Sequence, residues 1–294
     1  MQIRRPNPQG LNPLDMLLWT FRRSEADVVC LYDALSALMQ ISTGANMLNF
    51  GYWEPGATPA EAQSSLCMKV ARMAGLDTAR TALDIGSGFS EPAAIWLCNF
   101  PHLRISCVNL NRTQLGFGRR FLKESASDPQ GKITLVNSTA TALPFSTGSV
   151  DSIIALESAQ HFRPLSGFMS ECRRTLVDGG RLVLAMPVMT GKSPLEMLRL
   201  GILSFTWSSE HYSLDEVKES VIRSGMTTNK LEMIGSRVYE PLADYYIRNR
   251  DTLRPKILES YPSYVEKLLS RSLVKMKKAS EDKTIDYVLL SATR

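Results

Sequence analysis

Between residues 79 and 188 the chain alternates short apolar runs with helical stretches, and that alternation limits the folds open to it more than any other feature. ARTALDIG (79–86), RISCVNL (104–110), KITLVN (132–137), SVDSIIAL (149–156) and GRLVLAMPV (180–188) are short, β-branched-rich runs that read as strands buried on both faces. PAAIWLCNF, TQLGFGRRFLKESA and GFMSECRRTLVDGG carry helical spacing between them, the last closed by Gly179–Gly180. Strand following helix in this way implies an α/β fold: a doubly wound, mostly parallel sheet covered by helices on both sides.

The flanks read differently. Residues 1–65 are expected to be a helical extension that passes into a loop rich in Gly, Asn and aromatics, with a helix starting at Thr58-Pro59-Ala60-Glu61. Residues 66–190 form the core. Residues 191–281 read as inserted helices forming a cap, with one strand expected at LEMIGSRVY (231–239) and a capped helix at 213–224. Residues 282–294 close the sheet. Within 264–279, Val265, Leu268, Leu269, Leu273 and Met276 make one apolar stripe.

Composition removes several classes. The five cysteines are scattered and form no CxxC pair, which argues against a disulfide framework or a zinc site and for a reducing, cytoplasmic setting. No apolar run approaches the roughly 20 residues needed to span a bilayer. The net charge of +5 lies wholly in residues 248–294, with eleven Lys/Arg against six Asp/Glu. A basic tail could serve an anionic substrate or, through helix 264–279 and its Lys275, Lys277 and Lys278, a membrane surface; a solvated helix face is the plainer reading.

The chemistry centres on Asp84-Ile85-Gly86-Ser87-Gly88, which follows the first strand. Glycines at such a turn let the backbone approach a ligand, and the helix after it offers N-terminal amides. A dinucleotide fingerprint would place a third glycine at 91, but Glu91 would set a carboxylate where a pyrophosphate lies. Asp84 suits a ligand that carries an ammonium group. The second strand ends in Asn109-Leu110-Asn111-Arg112-Thr113-Gln114, where an amide can meet a ribose diol.

These segments, with Ser138-Thr139-Ala140-Thr141-Ala142-Leu143-Pro144-Phe145 and ECRRTLVDGGRLVL in the same order, resemble class I S-adenosylmethionine-dependent methyltransferases. Within that class the chain resembles the small-molecule group of rebeccamycin O-methyltransferase, sterol methyltransferase and cyclopropane synthase. The resemblance implies a seven-stranded sheet and S-adenosylmethionine as cofactor. It places Asp84, Gly86, Ser87 and Gly88 at the methionine end, Asn109, Leu110 and Gln114 at the ribose, and Thr139 and Ala140 at the adenine. Tyr52, in Asn49-Phe50-Gly51-Tyr52-Trp53, falls in a loop expected to close over the cofactor. Asn109 and Thr139 stand where the group usually carries acids.

The fourth strand runs into Glu157-Ser158-Ala159-Gln160-His161. The resemblance puts this strand end at the transferred methyl group. Glu157 and His161 are four apart, so a helical turn would set them on one face. His161 is then a general base, with Glu157 orienting it, accepting a proton itself or contacting the cofactor. Gln160 replaces the Glu that cyclopropane synthases of the group carry, which counts against cyclopropanation.

The expected acceptor is a small, lipophilic molecule methylated at oxygen or carbon. Its wall would be Met186, Met189, Met197, Leu198, Leu200, Ile202, Leu203, Phe205 and Trp207, with Tyr239, Tyr245, Tyr246, Tyr261 and Tyr264 adding aromatic surface. Arg248, Arg250, Arg254 and Lys256 are available for an anionic group on it. The alternatives are a non-catalytic protein that binds cofactor or a partner, and a nucleic-acid methyltransferase. The latter lacks a recognised RNA-binding module and an NPPY-like motif after the fourth strand. A helical N-terminal extension could support a homodimer.

Overall fold

The computed structural model describes residues 24–44, 47–128, 130–190 and 210–294. Seven strands form one sheet: β1 (Thr81–Ile85), β2 (Arg104–Asn109), β3 (Ile133–Asn137), β4 (Val150–Leu156), β5 (Leu176–Met189), β6 (Thr227–Met233) and β7 (Ile285–Thr293). Their spatial order is β3-β2-β1-β4-β5-β7-β6. Neighbours from β3 to β5 run parallel, and β7 lies antiparallel between β5 and β6. The sequence reading of a doubly wound, mostly parallel seven-stranded sheet is what the chain adopts.

The central strands are apolar throughout because helices cover both faces. β4 is buried at every position except Asp151, and β7 at every position except Thr293. Asp151 accepts from the amides of Arg80 and Thr81 and from the Thr81 hydroxyl, each at 2.9 Å, tying the start of β4 to that of β1.

Helices α1 (Glu25–Thr43), α2 (Pro59–Ala74), α3 (Glu91–Asn99), α4 (Arg112–Glu124), α5 (Leu165–Thr175) and α6 (Leu214–Arg223) precede α7 (Tyr239–Leu258) and α8 (Ser263–Glu281). Reciprocal side-chain caps start three of them: Ser24 with Asp27, Thr58 with Glu61 and Ser213 with Glu216. α3 instead follows Ser90, a non-glycine residue with φ 60°.

Two sequence expectations shift. Gly179–Gly180 does not stop a helix: α5 ends at Thr175, and β5 begins at Leu176, which pairs with Val150 ahead of a register irregularity. The sixth strand lies at Thr227–Met233, not 231–239. It is an edge strand, mostly exposed and carrying Lys230, so its apolar signal is weak. The apolar residues after it enter a turn at Gly235–Arg237, where the Gly235 amide donates to Asp286 Oδ1 at 2.8 Å.

The apolar stripe of α8 packs inward. Val265, Leu273 and Met276 are buried in the same core as Tyr239, Tyr246 and Tyr261, against α7. The core therefore takes up the apolar stripe, while Lys275 and Lys278 of the same helix stay exposed. Among the described residues no helix is long and apolar enough to cross a membrane.

Candidate active site

The strand order reverses direction between β1 and β4, and in an open α/β sheet a crevice opens there at the carboxyl ends of the strands. The cleft found there encloses about 1150 Å³ counted out to its mouth. The ends of β1, β2 and β4 and the loop after β3 line it, and α1 lies over it.

At the β1 end, Gly86 has φ 75° and Gly88 φ 53°, so both sit in the left-handed region that favours glycine. Their reasons differ. A Cβ at Gly86 would lie 2.3 Å from Ser158 Cβ, so this glycine lets the loop after β4 press against the β1 turn. Ser158 Oγ donates to the Ile85 carbonyl at 2.5 Å across that contact. A Cβ at Gly88 would meet only Leu48 Cδ1, at 3.5 Å. Ser87, buried, lines the cleft between them.

Asp84 is 2% exposed, and its Oδ2 has no hydrogen-bond partner among the described residues. Burial alone pushes its carboxyl from 3.8 up to about 7. Glu91 Oε2 is also buried without a partner, and burial raises that carboxyl too. Two unpaired carboxylates in one cleft form a site for a cation.

Asn109, Leu110 and Gln114 line the cleft at the end of β2. The Asn109 side chain is engaged: its Nδ2 donates to Gln114 Oε1 at 2.9 Å and to the Gly88 carbonyl at 3.3 Å, and its Oδ1 accepts from the Asn111 amide at 3.1 Å. An acid at 109 could not make the two donated bonds. Thr139 and Ala140 line the β3 end, and Thr139 Oγ1 donates to Glu25 Oε1 at 2.5 Å.

Glu157 and His161 both line the cleft, but one helical turn does not join them. Glu157 has φ 52° and stands outside the short turn Ala159–His161. A side-chain-bearing residue held there is backbone strain of the kind found at functional positions. Glu157 Oε1 accepts from the Phe50 amide at 2.9 Å and from Tyr287 Oη at 3.0 Å. Burial outweighs both bonds and raises its carboxyl from 4.5 to about 8. His161 Nε2 lies 2.9 Å from Tyr32 Oη and 3.3 Å from Gln160 Nε2. The Gln160 side-chain nitrogen only donates, so in this contact Nε2 accepts.

Tyr52 is the site residue the structure does not bring in. Its amide donates to the Ala62 carbonyl at 2.8 Å, and its ring lies under Lys69 Nζ at 5.1 Å, outside the cleft lining. Met47, Leu48 and Asn49 of the same loop line the cleft instead.

The expected acceptor wall is corrected in part. Tyr239, Tyr246, Tyr261, Met186 and Met189 are buried core, and none of them, nor Tyr245 or Tyr264, lines the cleft. Arg250 and Arg254 are drawn to the buried Glu266, Arg250 Nε at 2.7 Å from Oε1 and Arg254 Nε at 3.7 Å from Oε2. Met197, Leu198, Leu200, Ile202, Leu203, Phe205 and Trp207 lie outside the described residues.

Sequence reading missed Glu25, Val28, Val29 and Tyr32, which line the cleft from α1. Their helical spacing behind the Ser24 cap was the available signal. Tyr287 had none, because only the pairing of β7 carries it to Glu157.

Residues 83–184 match a family model described as a methyltransferase domain. The erythromycin 3''-O-methyltransferase of Saccharopolyspora erythraea is 27% identical, with 94% of this chain and 93% of that protein covered. The 27-O-demethylrifamycin SV methyltransferase of Amycolatopsis mediterranei is 26% identical, with 90% and 95% covered. The cyclopropane synthase MmaA2 from Mycobacterium tuberculosis superposes with a TM-score of 0.79 over 90% of this chain and 95% of that one, at 14% identity, a likeness of fold. The chain is an S-adenosylmethionine-dependent methyltransferase, and S-adenosylmethionine is its cofactor.

Proposed function

We propose that this methyltransferase alkylates a hydroxyl oxygen of a large, mostly apolar natural product of the macrocyclic polyketide kind. Two relatives aligned over nearly their whole length act, by their names, on oxygens of erythromycin and of a rifamycin. The single observation that carries the choice of oxygen is the imidazole at the end of β4, whose Nε2 is held as an acceptor by Tyr32 and Gln160.

The cleft suits the cofactor. Asp84, through its unpartnered Oδ2, and Glu91 would hold the cofactor's ammonium, and at the Gly88 turn a Cβ would meet only Leu48. Asn109, Leu110 and Gln114 border the middle of the cleft and Thr139 and Ala140 its far end. When bound, S-adenosylmethionine supplies a methyl group on a sulfonium, ready for in-line displacement.

This chain's residues then do three things. They align acceptor and donor, which supplies most of the rate for a displacement of this kind. They exclude water, through α1 over the cleft. They take the hydroxyl proton as the oxygen gains its methyl group, and His161 Nε2 is the atom placed for that. Tyr32 Oη already covers it, and burial holds the phenol well above its ordinary value. Tyr32 therefore keeps its own proton and reaches His161 as a donor. Either the acceptor hydroxyl displaces Tyr32 from Nε2, or the phenol hands its proton to His161 as it receives the acceptor's. Glu157, neutral below about pH 8, shapes the wall of the cleft through Phe50 and Tyr287.

The test is incubation of the chain with S-adenosylmethionine and a panel of macrolide and ansamycin alcohols, with products read by mass spectrometry and NMR. The expected product is a methyl ether whose formation falls at least a hundredfold in His161→Ala, within the range of general-base removal. A carbon-methylated product, or ether formation indifferent to His161, overturns the proposal.

A further inference from the structure

Thr139, one of the two positions where the chain lacks an acid, faces α1, as does Asn111 at the cap of α4, and α1 carries acids toward both. Glu25 Oε1 accepts from Thr139 Oγ1 at 2.5 Å, and Asp33 Oδ1 accepts from Asn111 Nδ2 at 2.8 Å. Glu25 lines the cleft, as do Val28, Val29 and Tyr32 on the same helical face. Further along the helix, Ser36 Oγ accepts from Gln114 Nε2 at 3.4 Å. The helix is thus fastened by polar contacts to the loop after β3, to α4 and its cap, and to the turn after β4.

We propose that Glu25 supplies from α1 the carboxylate that residue 139 lacks, and that it accepts a hydrogen bond from the exocyclic amino group of the cofactor's adenine. The inference rests on reading the Thr139–Ala140 loop as the adenine end of the site. A threonine hydroxyl both donates and accepts, so by itself it cannot distinguish an amino group from an oxo group. A carboxylate only accepts, so it welcomes an amino group and repels a carbonyl oxygen. Thr139 fits the second role of holding one Glu25 oxygen in place by donating to it. The cap at Ser24 starts the helix at Glu25, and a negative charge in a first turn is favoured by the helix dipole. Adenine recognition and the seating of α1 over the cleft then become one event.

The experiment is titration calorimetry of the full chain with S-adenosylhomocysteine and with S-inosylhomocysteine, which carries an oxo group in place of the amino group. The wild type is expected to prefer the adenosyl ligand by about tenfold to a hundredfold, the range of one hydrogen bond to a charged group. Glu25→Ala and Glu25→Gln should cut that preference severalfold, and Glu25→Ala combined with Thr139→Asp should restore it. An unchanged ratio in Glu25→Ala, or equal losses for both ligands, overturns the role of Glu25. In that event Asp84→Asn separates the two levels. If Asp84→Asn weakens both ligands, the reading of the cleft stands and Glu25 alone is wrong. If Asp84→Asn leaves both affinities intact, the reading of the cleft has failed.

Discussion

Replacing Asp84 by Asn is predicted to stabilise the ligand-free protein increasingly as pH rises, while weakening its hold on the cofactor. Burial carries this carboxyl from 3.8 to about 7 with no compensating partner. Each unit corresponds to about 1.4 kcal/mol, so the ionised group handicaps the fold by about 4 kcal/mol. The handicap is absent below about pH 4, where folded and unfolded states are both protonated. It grows as pH rises toward 7 and is complete above that. Between pH 5 and pH 8 the wild type should therefore lose about 2–3 kcal/mol relative to Asp84→Asn. The amide's own cost of burial does not change with pH, so it offsets the comparison without changing its slope. Glu157 titrates in both proteins and cancels. Urea denaturation of both at pH 5, 6, 7 and 8 measures the difference. S-adenosylhomocysteine should reverse the order, because the ionised Asp84 is the form that meets its ammonium. Wild-type affinity should rise about tenfold from pH 6 to pH 8, and Asp84→Asn should lack that rise. Parallel stability curves, or a wild type that gains on the variant with rising pH, would refute the reasoning, since either would mean that the carboxylate has a partner.

Three further outcomes follow from the geometry. Gly86→Ala should destabilise the chain by about 2–4 kcal/mol, since the new Cβ meets Ser158 Cβ at 2.3 Å in a backbone conformation L-residues avoid; Gly88→Ala, with only Leu48 at 3.5 Å, should cost less, and equal denaturation midpoints would count against this ranking. Tyr32→Phe should uncover His161 Nε2 and change the pH profile of kcat without abolishing cofactor binding, whereas a loss of S-adenosylhomocysteine affinity with an unchanged profile would make Tyr32 a binding residue only. Thr58→Ala should cost about 1 kcal/mol, because it removes one half of a reciprocal cap at the head of α2, and thermal melting checks it.

What could be read from the residues alone was whatever repeats or sits locally. Six strands of the sheet, the caps at Thr58 and Ser213 and the glycine turn after β1 are each written in a few consecutive residues, because periodicity and turn geometry act over that range. β6 was misplaced for the same reason: an exposed edge strand needs few apolar residues, so little marks it locally. The cleft residues at or just past strand ends, Asp84, Asn109, Thr139, Glu157 and His161, were legible because a parallel sheet brings the ends of its strands to one crevice. Only the tertiary structure decided what those residues face. Glu157 meets Tyr287, His161 meets Tyr32 and Thr139 meets Glu25 across separations of 130, 129 and 114 residues, and no local pattern encodes such partners. The glycine turn itself shows the division. Its place after β1 was visible in the sequence, but that Gly86 makes room for Ser158 while Gly88 has only Leu48 beside it depends on how the loops around it pack.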